Sequence, residues 1–431
     1  STPPTDAVFI LGDNWETNKD ATEYIAYLFA HDPLGASGDG SDGMIACGSY
    51  VGDATAAATG EYIIDLGWEP QYVMIKTATS IDDWNIFDTM RGIKAGGGSA
   101  TLKANLSSSE SNSDLSTEDY IGIVSNGFDL TSGNNQVNAT GVTYIYMAIK
   151  RGMKTPTSSD EVFAIDNTLV ASEPSATSGF PVDMMFSADA VVGGNTYIGS
   201  RQTGINYMRT NLTSAEDGGS IYAWDWMDST GLTDLSAVSD TAWMFKRAKG
   251  FFDVVAYTGT GAVQVLDHNL GVKPEMMWIK KRSGGTARSW IVTATEMADH
   301  QEYMFLNSSN FWAAGTWVTN STPPTDTVIT LGGDDNTNGS TYPYLVYLFS
   351  TLAGISKCGK YTGNGTSITI DAGFTTGAKF IIIKRHDNLG DWFMWDSVRG
   401  IVAANDPHLS LNTTAAEVTT DDSIDPDTSG F

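Results

Sequence analysis

"TYIYMAIKRG" (143–152) is the stretch on which the fold turns. The alternation within "YIYMAIK" sets one face of a strand toward a core and the other outward, the pattern of an antiparallel sheet. Upstream lie "GSYVGD", "GEYIIDLG", "PQYVMIKTA", "WNIFDTMRG" and "YIGIVSNGFDL", separated by Gly, Asn, Asp and Ser. Strands of this length between turn residues predict an antiparallel sandwich. Pro70 opens one strand, where a missing N–H costs nothing. No long amphipathic helical pattern competes. The expected class is all-β: tandem antiparallel β-sandwich modules of jelly-roll or concanavalin-like type, joined by short linkers.

Related closing strands recur as "TAWMFKRAKG" (241–250) and "YLVYLFSTLAG" (344–354), and "EYIAYLFA" (23–30) matches "PYLVYLFS" (343–350). "STPPTD" stands at 1–6 and again at 321–326, 320 residues apart. The block from Cys47, "CGSYVGD…", is repeated from Cys358, "CGKYTGN…". Residues 273–297 and 180–204 hold two more divergent copies. The expected organisation is the closing part of a module (1–35), a first module (36–152), a divergent second (153–250), a third (251–354) and the opening part of a further one (355–431). Three modules form a higher-order repeat, so the chain reads as a window on a longer tandem array. Each module is expected to bury its own core, which lets many be strung into a stiff rod. An alternative is closure: residues 1–35 complete residues 355–431, within one chain or between neighbours.

The 431 residues carry a formal charge of −27. That argues against nucleic-acid binding and docking on anionic membranes, since phosphates are repelled. No apolar run reaches the length of a membrane span, so no membrane insertion is expected. Cys47 and Cys358 occupy matching positions in different modules, too far apart to bridge, and are expected as buried free thiols. The five histidines do not recur at equivalent positions, and no nucleophile elbow or phosphate loop is present. These features point away from an enzyme.

"GKYTGNGTS", "FIIIKR", "DWFMWDSVRG" and "DTSGF" within 359–431, with "YVMIKT", "DWNIFDTMRG" and "SNGFDL" within 48–152, resemble a module common in large proteins of marine bacteriophages. Residues 251–354 match at "YTGTG" and "MWIKKR" but lack Asp-x-x-Arg-Gly, and 161–250 match least. The resemblance implies virion structural or tail-fibre-like proteins with a concanavalin-type sandwich, and no catalytic activity.

Three groups could carry binding. Trp84, Asp88 and Arg91 recur as Trp392, Asp396 and Arg399, with Trp290 at the same place in the third module. An exposed Trp stacks on sugar rings and an acid–arginine pair holds hydroxyls; the plainer reading is a core aromatic and a loop-pinning ion pair. Asp334, Asp335, Asn336 and Asn338 offer oxygens for Ca²⁺, or form an Asx-rich turn. No other cofactor is expected. Asn-x-Ser/Thr sequences at Asn105, Asn138, Asn211, Asn307, Asn320, Asn338, Asn364 and Asn412 arise freely in so Ser/Thr/Asn-rich a chain.

The expected function is a non-enzymatic structural and adhesive fibre protein at the virion surface or otherwise extracellular. Its expected partners are other copies of itself, other virion proteins and a host surface glycan. A microbial surface filament or adhesin is the alternative, and a polysaccharide-degrading enzyme the third reading.

Overall fold

The computed structural model describes residues 5, 7–32, 43–55, 62–111, 120–170, 172–189, 193–218, 224–232 and 240–431. The first "STPPTD" and the expected joint at 35–45 lie largely outside them. Among the described residues the regular structure is almost wholly antiparallel strand.

The first module holds β1 (Ile45–Val51), β2 (Ile63–Asp65), β3 (Pro70–Thr77), β4 (Asn85–Asp88), β5 (Leu102–Lys103), β6 (Ile121–Val124), β7 (Gly127–Leu130) and β8 (Thr143–Lys150). One sheet runs β1-β8-β3-β4-β5 and the facing one β2-β7-β6. The closing strand β8 sits between the opening strand β1 and the third strand β3. Val73, Ile75, Phe87, Phe128 and Tyr144 fill the space between the sheets.

The second module has β9 (Phe163–Asp166), β10 (Ala176–Thr177), β11 (Met184–Asp189), β12 (Tyr197–Ser200), β13 (Met208–Arg209), β14 (Gly231–Leu232) and β15 (Asp240–Phe245). The third has β16 (Phe252–Thr258), β17 (Gln264–Asp267), β18 (Met276–Lys281), β19 (Ile291–Ala294), β20 (Glu302–Phe305), β21 (Ala313–Ala314), β22 (Val328–Leu331) and β23 (Pro343–Phe349). Their main sheets, β13-β12-β11-β15-β9 and β16-β23-β18-β19-β20-β21, again seat the closing strand second from the opening edge. The last unit forms β24 (Phe380–Lys384), β25 (Trp392–Asp396) and β26 (His408–Ser410), matching β3-β4-β5.

The registers superimpose residue by residue. Tyr50 pairs with Tyr144 and Tyr257 with Tyr344, each pair of rings stacked 5.2 Å apart. Tyr144 donates to the Asn135 carbonyl (2.6 Å), and Tyr344 to that of Asp335 (2.8 Å). Near the start of the chain, Tyr24 donates to the Trp15 carbonyl at 2.9 Å, and Asn14 caps the turn as Asn134 and Asp334 do. The turn before the closing strand is thus encoded locally, by an Asx side chain and a tyrosine hydroxyl.

"EYIAYLFA" forms no strand: Ile25 and Tyr27 are more than 80% exposed at 84% and 81%. A strand needs a ladder partner, and the closing slots of the first and third modules are already filled by β8 and β23. Among the described residues this segment pairs with no strand, and β24 is the edge of its sheet. Each module buries a core of its own, and a further apolar cluster joins the second, third and last. β18 and β23 are buried on both faces. The outward faces of the second and third modules meet the last unit in one cluster containing Phe186, Ile198, Trp278, Val292, Met394 and Leu409.

Candidate functional site

The recurring Trp and Asp–Arg motif sits where the main sheet leaves β4, or its equivalent β25. Arg91 Nε binds Asp88 at 2.6 Å, and Arg399 Nε binds Asp396 at 2.5 Å. In both, the arginine's backbone N–H donates to the same aspartate (2.9 Å). Its second arm reaches a glutamate: Glu110 at 3.2 Å and Glu417 at 2.7 Å. The pair therefore clamps the turn after the strand and ties it to a distant loop. Sequence reading missed both glutamates, because they lie about 20 residues on, in a loop of variable composition.

The tryptophans differ by position. Trp392 is 3% exposed and donates its indole N–H to the Phe305 carbonyl of the third module (2.9 Å). Trp290 donates likewise to the Arg209 carbonyl of the second module (2.9 Å). Asp396 accepts from the Trp243 indole at 3.0 Å, and the Arg399 guanidinium stacks over that ring. Trp392, Asp396 and Arg399 are thus an internal joint, closed to a sugar. Trp84 is the exception, 37% exposed, with Asp88 and Arg91 half-buried beside it.

Five of the eight sequon asparagines make recurring structural bonds. Asn105, Asn307 and Asn412 each accept the backbone N–H of the recurring Trp at 2.9, 3.0 and 2.8 Å. Asn138 and Asn338 are fully buried, accepting from Asp53 N–H and Thr260 N–H at 2.8 Å each. Their recurrence was the signal available in the sequence.

The calcium candidates do not converge. Asp334 accepts from the backbone and side chain of Asn336 (2.8 and 2.6 Å). Asp335 is engaged at both oxygens, by Lys281 (2.9 Å) and Arg288 (2.7 Å). Burial pushes its carboxyl up, but the two cations outweigh this and hold it below the ordinary range. Asn338 is committed to Thr260 and Ala262. The turn is a brace, and among the described residues no group of three or more His, Cys, Asp or Glu could hold a metal. Cys47 and Cys358 are both free and half-buried, and burial raises both thiols.

A buried charge cluster that the sequence did not announce lies where the first three modules meet. Asp183 accepts from Arg151 (2.7 Å), from Arg201 Nε (3.2 Å) and from the backbone of Arg247 (2.7 Å). Arg247 also binds Glu69 and Asp253, each at 2.6 Å. Burial raises the Asp183 carboxyl, but Arg151, Arg201 and Arg247 together pull it below its ordinary value. Burial disfavours the Arg247 charge, but Asp253 and Glu69 raise its pKa overall. Arg282 adds a second tie, to Glu216 (2.5 Å) and the Ala95 carbonyl (3.1 Å). Each residue is ordinary alone; only tertiary contact gathers them.

Fold and site together define an all-β protein of interlocked antiparallel sandwich modules, whose recurring polar motifs pin turns within each module and, at Trp290 and Trp392, join neighbouring modules. The chain belongs to the family described as a domain of unknown function (DUF7483), whose model matches residues 1–151 and 186–431. The unmatched stretch falls at the start of the divergent second module. No curated protein matches the chain. Among the described residues, no helix is long and apolar enough to cross a membrane.

Proposed function

We propose that this chain is part of a non-enzymatic structural and adhesive fibre protein carried on the surface of a bacteriophage particle. The observation that carries the reading is the interlocking: shared apolar core, Trp-to-carbonyl joints and a buried charge cluster make a stiff multi-module body. Stiffness suits a fibre that must hold a terminus away from a particle. Many copies of such a fibre on one particle then supply the weak contact many times over, so that avidity replaces a single tight site. The net charge of −27 keeps such a body soluble and apart from nucleic acid. The kinship to concanavalin-type lectins and the host glycan partner belong to this proposal, with Trp84, Asp88 and Arg91 as the sugar-facing group. Ca²⁺ is not part of it.

The test is immunogold labelling of native phage particles that encode the chain, followed by cryo-EM of the labelled appendage. Label on a projecting fibre is the expected result. Label confined to cell-surface filaments overturns the virion assignment and favours the microbial adhesin. Polysaccharide cleavage by the purified chain, lost on changing an acidic pair, overturns the non-enzymatic part.

A further inference from the structure

The last unit carries a sheet that is open at one side. Its strands β24, β25 and β26 match β3, β4 and β5 of the first module and β18, β19 and β20 of the third, yet β24 is the edge of its sheet. In the complete modules that side is taken by the closing strand: β8 lies against β3, and β23 against β18. Among the described residues, no backbone hydrogen bond beyond the ladder to β25 reaches Phe380–Lys384. The core shows the same opening. Ile75 and Ile279 are fully buried beneath their closing strands, whereas Ile383, which like them precedes the recurring lysine, is only half-buried. Residues 357–370, the counterpart of β16 and β17, form no strand, and Tyr361, the counterpart of Tyr50 and Tyr257, is 45% exposed. An edge of this kind is a template for pairing with another strand.

The same chain holds strand sequences without a sheet. "VFIL" (8–11) stands where β22 reads "VITL" (328–331), and "EYIAYLFA" (23–30) where β23 lies in "PYLVYLFS" (343–350). Val8, Ile10, Ile25, Tyr27, Leu28 and Phe29 are each more than half exposed. Among the described residues, 23–30 make no backbone hydrogen bond. Yet the segment is held at both ends. The turn before it is set by Asn14 and Tyr24, as the turns before β8 and β23 are set. After it, His31 Nδ1 accepts the Cys47 N–H at 3.0 Å and Asp32 bridges to Ile45, just as Leu352 after β23 bridges to Ser356. The segment thus stands before the first module as β23 stands before the last unit, but without a ladder.

We propose that the open edge of β24 accepts residues 23–30 of a second copy of the chain as its closing strand. The register follows from β18 and β23, where Met277 faces Leu348, Ile279 faces Val346 and Lys281 faces Tyr344. Leu28 of one copy then lies opposite Ile381 of the other, Ala26 opposite Ile383 and Tyr24 opposite Arg385. Leu28 joins the small core of Ile381, Trp395 and Ile424 as Leu348 joins that of the third module. Tyr24 stacks on Tyr361 as Tyr144 does on Tyr50 and Tyr344 on Tyr257. Residues 8–11 pair with 368–371 as β22 does with β17. The occupant is argued from two observations. This sequence is the one that fills the same edge in the third module, and the chain's own copy of it is tied to β1 and leaves β24 unpaired. The mode is strand addition, with main-chain bonds for affinity and alternate side chains for register. Donor and acceptor are different surfaces, so each added copy brings a further open edge and association continues past two. The inference goes beyond the virion reading and does not depend on it.

The experiment is sedimentation velocity with light scattering on the 431-residue chain, across the micromolar range. Salt is held at about 0.15 M, where repulsion between the acidic copies is screened beyond about 8 Å. The expected species run through two and three times the 46.1 kDa chain mass and beyond. Ala26→Pro keeps the apolar surface of the segment but removes an N–H from a strand that would be bonded on both sides. It should weaken association at least tenfold. Thermal unfolding of the dilute monomer should stay unchanged, because residues 23–30 pair with nothing there. The Ala26→Pro chain still has its acceptor edge. It should bind one synthetic peptide of residues 5–32 per chain, with hydrogen-exchange protection appearing at Phe380–Lys384. A parent chain that stays monomeric throughout overturns the proposal. So does association as tight in Ala26→Pro as in the parent, or peptide binding that leaves Phe380–Lys384 unprotected. Assembly of a chain that never labels on virions leaves this inference standing and removes the virion assignment; fibre labelling with a monomeric chain does the reverse.

Discussion

Changing Asp183 to Asn leaves the shape of the side chain and removes its charge. Arg151, Arg201 and Arg247 then share a buried space with one anion fewer. Breaking a buried ion pair by removing one partner costs about 3–5 kcal/mol, because the other charge stays desolvated. At about 4 kcal/mol, the fall in Tm depends on how much chain melts together. Unfolding entropy is about 2.1 cal/mol/K per residue. If the second module melts alone, as roughly 100 residues, Tm falls by about 20 °C. If it melts with the third module and the last unit, roughly 280 residues, the fall is about 7 °C. The common core of these three bodies predicts the smaller shift, in one transition. Differential scanning calorimetry reads both quantities. The pH dependence adds a check of sign. The Asp183 carboxyl titrates below its unfolded value of 3.8, so its stabilisation is complete above that pH and is lost as pH falls through the folded value. The gap between parent and variant should therefore narrow below about pH 4. A Tm within about 1 °C of the parent at neutral pH would refute the reasoning, since the three arginines would then be neutralised elsewhere.

Three further outcomes are expected. Burial pushes the His300 imidazole down from 6.5 to about 4; its neutral form is the folded one, so the chain should lose about 3 kcal/mol as pH falls through that window. A His300→Gln variant, followed by urea melts, should lack this loss. Trp392→Ala removes a buried indole and its bond to Phe305, costing about 3–5 kcal/mol; limited proteolysis should then cut within 355–379 and free the last unit. Asp335 is saturated by Lys281 and Arg288, so millimolar Ca²⁺ should move Tm by less than about 1 °C. A larger rise, abolished in Asp335→Asn, would restore the calcium reading.

Much of the architecture is local in origin, and so legible in the sequence. Strand alternation in "YIYMAIK", the punctuating Gly and Asx residues, and the repeated turn before each closing strand act within a few residues of chain. The turn forms around Asn14 and Tyr24 even where the following strand has no sheet. The Asp88–Arg91 and Asp396–Arg399 pairs were visible because their partners lie three residues apart. Their purpose was not, because burial belongs to the neighbour. Trp84 and Trp392 are the same residue in the same motif, yet one faces solvent and the other a second module.

Sequence by itself determined the class of fold, the modular period and the strand that closes each module, because backbone geometry and apolar alternation are short-range. Tertiary structure alone decided which outer faces meet, which tryptophan becomes a joint and which charges are buried. Those depend on surfaces brought together from far apart in the chain, 219 residues for Lys379 and Asp160, and no local pattern records such a meeting.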